Sequence, residues 1–429
     1  MNKALENLTE RGFVSQCTSM EGLSAVMDAG PVTFYVGCDP TGRSLHIGHM
    51  VPFFAFRHLL QAGHRGIALV GGGTARIGDP SGKTEMRKML SYEELDANAA
   101  SIKAQLERFL MGTGSGSFFF ANNKDWLASL NYIDFLRDIG SHFSVNRMLS
   151  FEAYKKRLET GLSFIEFNYQ LLQSYDYLQL YRLHNCRLQI GGDDQWGNIV
   201  AGMELIRRIG DGSDGSSPAG EAISPAFGLT FPLVTTADGK KMGKTEKGAL
   251  FLDPAITSPY DFFQYWRNVQ DADLLRFLLL FTFLPANECR ALCAPEKNLN
   301  AAKERLAYEV TALIHGVDEA ERALSGARAA FGGGADGIFA MPAKELERAR
   351  FEAGYNVVDL FADAGLAATK SEARRLVEQG GAFMGLPGME LNAAPNIKHT
   401  IYASVLNKDA NAALVLRAGK KRYCRIVTV

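Results

Sequence analysis

No uninterrupted apolar run in this chain is long enough to span a bilayer, and its opening stretch, MNKALENLTERGF, carries Glu6 and Glu10 where a leader has an apolar core. That pattern offers no transmembrane helix, so a cytoplasmic protein with no membrane partner is expected. Cysteine is scarce: six are spread over 429 residues, at 17, 38, 186, 289, 293 and 424. They form neither the paired CxxC clusters that hold zinc nor a dense disulfide framework, so they read as reduced thiols with no protein-held metal. Cys289 and Cys293, one helical turn apart, read as sharing a helix face. An excess of either charge is also missing, with 46 Lys and Arg against 47 Asp and Glu. The distribution is less even: from Lys398 to Val429, seven Lys or Arg (398, 408, 417, 420, 421, 422 and 425) face only Asp409, a local charge of 7 − 1 = +6. That end reads as a polyanion-facing segment or a solvated tail. No internal repeat is present.

What is present suffices for packed cores, since 47% of the residues are hydrophobic and 22% charged. At roughly 150 residues per domain the length suggests about three units. Apolar, β-branched and aromatic runs bounded by turn residues occur at Pro31 to Gly37, Ile67 to Gly71, Phe118 to Ala121 and Leu188 to Gly191. Helical patterns, His46 to Gln61 and Tyr92 to Leu110, follow the first two. This β-α order predicts a doubly wound, Rossmann-like parallel sheet whose ligands sit at the carboxyl ends of the strands. Gly212 to Gly220 reads as a connector, Ser258 to Leu284 and Ala301 to Gly316 as helical with no convincing strand nearby, and Gly332 to Gly337 as a linker. Beyond it, Val357 to Leu366 and Ser371 to Gln379 read as two short helices before short strands.

Five constellations carry chemistry. The first strand runs into Asp39-Pro-Thr41 and then His46-Ile-Gly-His49 at the start of a helix. A helix start presents unpaired N–H groups, Gly48 lets a nucleotide approach, and two imidazoles three residues apart share a face and can donate to phosphate oxygens. The second is Gly71 to Lys83, a glycine-rich loop with Asp79, Lys83 and, further on, Arg87. It fails the Walker spacing because position 77 is Ile, and alone it reads equally as a solvated turn. In the third, Ser163 to Tyr181, an interior helix places Tyr169, Gln173 and Asp176 on one stripe, which is either a pocket wall or an internal hydrogen-bond network. The fourth is Gln189 to Asn198, where Gly191 and Gly192 leave room for a sugar and Asp194 and Gln195 supply acceptor and donor. Last comes Asp238 to Thr245, a lysine-bearing loop whose cations can close over a triphosphate.

His46-Ile-Gly-His49 and Lys241-Met-Gly-Lys-Thr245 resemble the HIGH and KMSKS motifs of class I aminoacyl-tRNA synthetases, in order and separation. The wording YVGxDPT, GDPSGK, NNxDW at Asn122 to Trp126, FLRDIGxHFSVNRM from Phe135 and GGxDQWGN is similar to the bacterial tyrosyl-tRNA synthetases across essentially the whole chain. The stretch from Ser371 to Gly381 resembles their S4-type RNA-binding module. The resemblance implies a Rossmann-like (HUP-type) catalytic domain over 1–222 with a dimer-forming insertion at about 125–160. A KMSKS-loop and α-helical anticodon-side domain over 223–331 would follow, then a linker over 332–352 and an α+β S4-like domain over 353–429.

It also implies tyrosine–tRNA ligation. Tyrosine and ATP would form tyrosyl-adenylate and pyrophosphate, with Mg²⁺ accompanying ATP, before transfer of tyrosine to the 3′-terminal ribose of tRNA(Tyr). Tyr35 and Asp176 would hold the substrate hydroxyl; Asp79, Tyr169 and Gln173 its ammonium; Gln195 its carboxylate; Thr74 and Asn123 belong to the same pocket. Gly37, Asp39, Gly48, Gly192 and Asp194 would face the adenylate. Thr41, His46 and His49 would face the ATP phosphates, and Lys83, Arg87, Lys241, Lys244 and Thr245 the departing pyrophosphate. A homodimer through Phe135 to Phe151 is implied as well. Asp193 departs from the family, which commonly has Ser there, and adds a like charge that is expected to crowd Asp194, while Gly243 replaces the Ser of the general class I loop. Two other readings stay open on the sequence: an adenylate-forming enzyme for another small acid, and an RNA-binding protein whose active site has lapsed.

Overall fold

The computed structural model describes residues 1–79, 81, 90–112, 116–209, 225–237, 239, 242–245, 248–332, 341–387, 389–409, 412–419 and 422–429. They divide into two compact units, one of residues 1–253 and 270–295, the other of 254–269 and 296–429. Among the described residues no helix is long and apolar enough to cross a membrane.

The first unit is built on six strands, β1 (Gln16–Cys17), β2 (Thr33–Cys38), β3 (Arg65–Val70), β4 (Ser117–Asn122), β5 (Cys186–Gly192) and β6 (Phe227–Phe231), in the order β1-β6-β5-β2-β3-β4. β6 to β4 are parallel and only β1 is antiparallel. The parallel, doubly wound sheet expected from the β-α order is present. β6 is an addition to it: FGLTF is short, is interrupted by Gly228 and lies close to the stretch that reads as a connector. Its burial throughout identifies it as an interior strand, which shows an unbroken apolar run in place of alternation.

Local chemistry sets the helices that bear the site. The helix expected over His46 to Gln61 is split into a short 3₁₀ turn, Ile47–His49, and a helix, Val51–Gln61, because Pro52 favours the first turn of a new helix. Helix Tyr92–Leu110 starts with a reciprocal Ser91/Glu94 cap. Helix Phe164–His184 starts with the same device, Ser163/Glu166, and stops at Asn185, which adopts the left-handed conformation (φ 49°). Glu166 is also clamped by the buried Arg157, at 3.0 and 3.1 Å. This helix is interior only in its middle: Tyr169, Leu171, Asp176, Tyr177 and Leu178 are buried, whereas Phe164 and Leu183 near its ends are exposed.

In the second unit, helices Pro259–Arg267, Leu299–His315 and Val317–Gly332 pack around Phe262, Phe263 and Trp266, all fully buried. Helices Val357–Asp363 and Lys370–Glu378 fall where the sequence placed two short helices. They share a core with a five-stranded sheet ordered Asn392–Ala393, Ala382–Gly385, Leu414–Ala418, Arg422–Thr428, Ala343–Leu346. Its last member lies in the segment that reads as a linker and pairs in parallel with Arg422–Thr428.

Candidate active site

The carboxyl ends of β2, β3 and β4 converge on one polar network, on the edge where an open parallel sheet binds its ligands. At its centre is Asn123, buried at the end of β4. It accepts from the Gly73 N–H (2.7 Å) and donates to Thr74 Oγ1 (2.9 Å) and Asp176 Oδ2 (2.8 Å). Thr74 passes the chain on to Asp39 Oδ1 (2.7 Å), whose other oxygen accepts from Tyr169 Oη at 3.0 Å. Asp176 Oδ1 accepts from Trp126 Nε1 at 2.7 Å. Gly71 is required here, since a Cβ at that position would collide with the Asp39 carboxylate and the Thr74 hydroxyl. Of the expected stripe, Tyr169 and Asp176 belong to this network. Tyr35 Oη, rising from β2, is buried with no partner among the described residues.

That orphan lies in the field of Asp176. Burial pushes the Tyr35 phenol well above its ordinary range, and the Asp176 charge pushes it further. Burial likewise raises Asp176 to about 8; the hydrogen bonds from Asn123 and Trp126 pull it down, and Asp39 pushes it up. Each Asp176 oxygen holds one donor and has a second lone pair, so it can accept a further hydroxyl, while Tyr35 can donate to the same oxygen of a ligand.

A second cluster joins the glycine-rich loop to the turn after β5. Gln195 Nε2 donates to Asp79 Oδ2 (2.8 Å), whose Oδ1 accepts from the Ser81 N–H (2.9 Å). Asn198 Nδ2 reaches Gln173 Oε1 at 3.0 Å and Gln195 Oε1 at 3.2 Å. Asp79 is buried, and Gln173, Gly192, Asp194 and Gln195 are half-buried beside it in sequence or space. Asp193, expected to crowd Asp194, instead has its carboxylate taken by Thr230 (2.6 Å) and Ser15 (2.7 Å) on the neighbouring strand segments.

A third cluster is formed by the 3₁₀ turn after β2. The Gly48 N–H donates to His46 Nδ1 (3.1 Å) and the His46 N–H to His49 Nδ1 (3.5 Å), with the rings stacked 3.6 Å apart. A ring nitrogen that accepts leaves the proton on Nε2, so the caps select the tautomer whose Nε2 can donate to a phosphate oxygen. Gly37 is exposed at the end of β2, and the exposed Thr41 closes the Asp39-Pro40 turn by donating its N–H to the Asp39 carbonyl at 2.8 Å. Met242 and Gly243 pack onto this turn, and residues 250–252 bond to it through Ile47 N–H to Leu250 O (2.9 Å) and Leu252 N–H to Leu45 O (2.9 Å). Lys83, Arg87 and Lys241 lie outside the described residues, as do the side chains of Lys244 and Thr245. Trp126 and Asn198 stand in motifs whose spacing gives them no role, and only contact shows what they do.

The family described as class I tRNA synthetases (W and Y) matches residues 27–332. A tyrosine–tRNA ligase of Treponema denticola is 62% identical over 427 residues, covering 100% of both chains, and one of Treponema pallidum is 60% identical over 428 residues, covering 100% of this chain and 99% of its own. The chain belongs to the class I tyrosyl-tRNA synthetases. A C-terminally truncated mitochondrial tyrosyl-tRNA synthetase of Aspergillus nidulans superposes with a TM-score of 0.67 at 30% identity, over 76% of this chain and 93% of that one. The reaction to be explained is tyrosine–tRNA ligation.

In this synthetase the glycine of the lysine loop has a geometric cause. Gly243 has φ 77°, and a Cβ there would come within 2.7 Å of Ile47 Cγ2. Serine, the general class I residue, would be strained by backbone and by contact alike. Gly243→Ser is expected to slow tyrosyl-adenylate formation by about tenfold, since a displacement of about 1 Å at a reacting centre costs up to about 10²-fold. Single-turnover kinetics with saturating ATP measures it; an unchanged rate would refute the packing argument.

Proposed function

We propose that Tyr35 and Asp176 receive the phenolic hydroxyl of L-tyrosine and that the His46 to His49 turn receives the triphosphate of ATP. The tyrosine carboxylate then attacks the α-phosphorus, pyrophosphate leaves, and tyrosyl-adenylate remains. The observation that carries this reading is the buried, unpartnered Tyr35 hydroxyl in the field of the Asp176 carboxyl. No side chain acts as a nucleophile, so catalysis is positioning and electrostatics. Asp79, Tyr169 and Gln173 hold the ammonium and Gln195 the carboxylate, with Thr74 and Asn123 fixing the wall behind them. Asp39, Gly192 and Asp194 face the ribose, and Gly37 and Gly48 let the nucleotide approach the backbone. Thr41 faces the phosphates, and Lys83, Arg87, Lys241, Lys244 and Thr245 face the leaving pyrophosphate.

Mg²⁺ is assigned to the ATP phosphates. The donors at the phosphate end are imidazoles and backbone N–H groups, which suit phosphate oxygens, whereas Mg²⁺ takes oxygen ligands and usually keeps substrate phosphates and water around it. In the second step a 3′-terminal ribose hydroxyl of tRNA(Tyr) attacks the adenylate carbonyl and AMP departs. We assign the catalytic work to 1–222, the loop and helical support to 223–331, and tRNA binding to the C-terminal domain, whose sheet and core already begin at Ala343–Leu346 inside the expected 332–352 linker, all in a cytoplasmic protein. Lys398, Lys408, Arg417, Arg422 and Arg425 favour tRNA phosphates and predict strong salt dependence.

A homodimer through the 125–160 insertion is supported by its exposed apolar side chains, among them Tyr132, Ile133, Val145 and Leu158, with Phe164 adjoining. Phe164→Asp is expected to convert the dimer to monomer in analytical ultracentrifugation; a native protein that sediments as a monomer contradicts the dimer. The functional reading is tested by ATP/pyrophosphate exchange, which should depend on tyrosine and not on phenylalanine or tryptophan. Exchange driven by another acid, or RNA binding with no exchange at all, would overturn it.

A further inference from the structure

We propose that Asp193 is a positioning residue for adenylate formation, a role that rests on the reading of Asp194 and Gln195 given above. Asp193 opens the 3₁₀ turn Asp193–Gln195 that follows β5 directly, so the placement of Asp194 and Gln195 follows from its own. Its carboxylate leaves the site and reaches across two strands. Oδ1 accepts from Thr230 Oγ1 on β6 at 2.6 Å and, more distantly, from Gln16 Nε2 on β1 at 3.4 Å; Oδ2 accepts from Ser15 Oγ at 2.7 Å.

The strands it reaches are in register for the purpose. Gly191 of β5 is opposite Thr230 of β6, which is opposite Gln16 of β1, and the Ser15 N–H donates to the Thr230 carbonyl at 2.9 Å. Thr230 is fully buried, so its hydroxyl needs a protein acceptor, and Asp193 supplies it. A serine, common here in the family, has a single oxygen on a shorter stem and cannot serve both hydroxyls. The carboxylate thus ties the turn to β6 and to the residues that open β1. At the other end of the turn, Gln195 holds Asp79 at 2.8 Å, so loosening Asp193 is felt at both the tyrosine carboxylate and ammonium positions.

Three variants of the full-length enzyme test this: Asp193→Ala, Asp193→Asn and Ser15→Ala, with Ser15→Ala also in the Asp193→Ala background. Tyrosine-dependent exchange gives KM for ATP and tyrosine apart from kcat, and thermal melting reports the fold. Asp193→Ala is expected to raise both KM values by about tenfold, in line with the steep cost of small misplacements. Asp193→Asn keeps an acceptor oxygen and should recover most of that. Ser15→Ala, which touches no substrate, should raise the same constants less and add nothing to Asp193→Ala, since the two act through one contact. Unchanged KM values with equal losses of melting temperature in the Ala and Asn variants would overturn the role, as would additive effects of Ser15→Ala. If the unaltered enzyme exchanges with tyrosine and the variants leave KM untouched, the positioning role fails alone; no tyrosine-dependent exchange at all would overturn the role and the reading together.

Discussion

Asp176→Ala is expected to cut tyrosine-dependent pyrophosphate exchange by about 10³-fold or more, because a site built to bond a hydroxyl loses far more than one that merely encloses it. Tyrosyl-tRNA synthetase is itself the standard example of that rule, with a roughly 10⁵-fold rejection of phenylalanine. The loss has two sources. The substrate hydroxyl loses its acceptor, and Asn123 Nδ2 and Trp126 Nε1, at 2.8 and 2.7 Å from the carboxylate, lose theirs. Each buried donor left unpaired costs about 1–3 kcal/mol, so the variant should also melt lower. Exchange near the native rate would remove Asp176 from the pocket.

The same carboxyl gives a pH signature. Its pKa is raised from 3.8 to about 8 in the folded protein, so the folded state holds the proton longer than the unfolded one. The sign follows: its contribution to stability is full below about pH 4 and is lost as pH rises through about 8. Tyrosine, donating to the ionised form, should offset that loss. The rise in melting temperature on adding tyrosine is expected to be larger at pH 8.5 than at pH 6, with phenylalanine giving no such trend. An equal rise at both values would contradict the role of the ionised carboxyl.

His46→Ala and His49→Ala should each slow adenylate formation by about 10²–10³-fold, the usual cost of removing one donor aimed at developing charge. Tyrosine affinity should stay within about twofold, because both imidazoles are assigned to the phosphates and neither to the tyrosine pocket. His46 has the additional duty of accepting the Gly48 N–H at 3.1 Å, so its loss also frees the start of the turn. His46→Asn restores a cap acceptor without the imidazole donor and separates the two duties. Rapid quench of a single turnover gives the rate, and equilibrium dialysis the affinity. Loss of rate and affinity together would move the histidines from phosphate to tyrosine.

Much of this is legible in the sequence because it is local. β2 to β5 show as apolar runs, and the helices at Tyr92–Leu110 and Phe164–His184 show by their patterning, while their Ser91/Glu94 and Ser163/Glu166 caps are seen in the structure. The stripe of Tyr169, Gln173 and Asp176 follows from the 3.6-residue period. What stays hidden depends on partners far along the chain. β6 is a short strand whose burial comes from its neighbours. Arg11, to which no sequence motif draws notice, is buried and caps a distant helix end through the carbonyls of Leu279, Thr282 and Leu284 at 3.0, 3.1 and 2.6 Å. Asp193 reads as a second charge beside Asp194, and only its bonds to Ser15 and Thr230 turn it away. Asn123, Trp126 and Asn198 sit in recognisable motifs, but no spacing rule states which atoms they join.

The most direct measurement is a crystal structure of the protein with L-tyrosine bound. The predicted result is the phenolic oxygen within hydrogen-bonding distance of both Tyr35 Oη and an Asp176 carboxylate oxygen, with the ammonium at Asp79, Tyr169 and Gln173. Tyrosine seated with its hydroxyl elsewhere, and Tyr35 Oη still unpartnered, would contradict it.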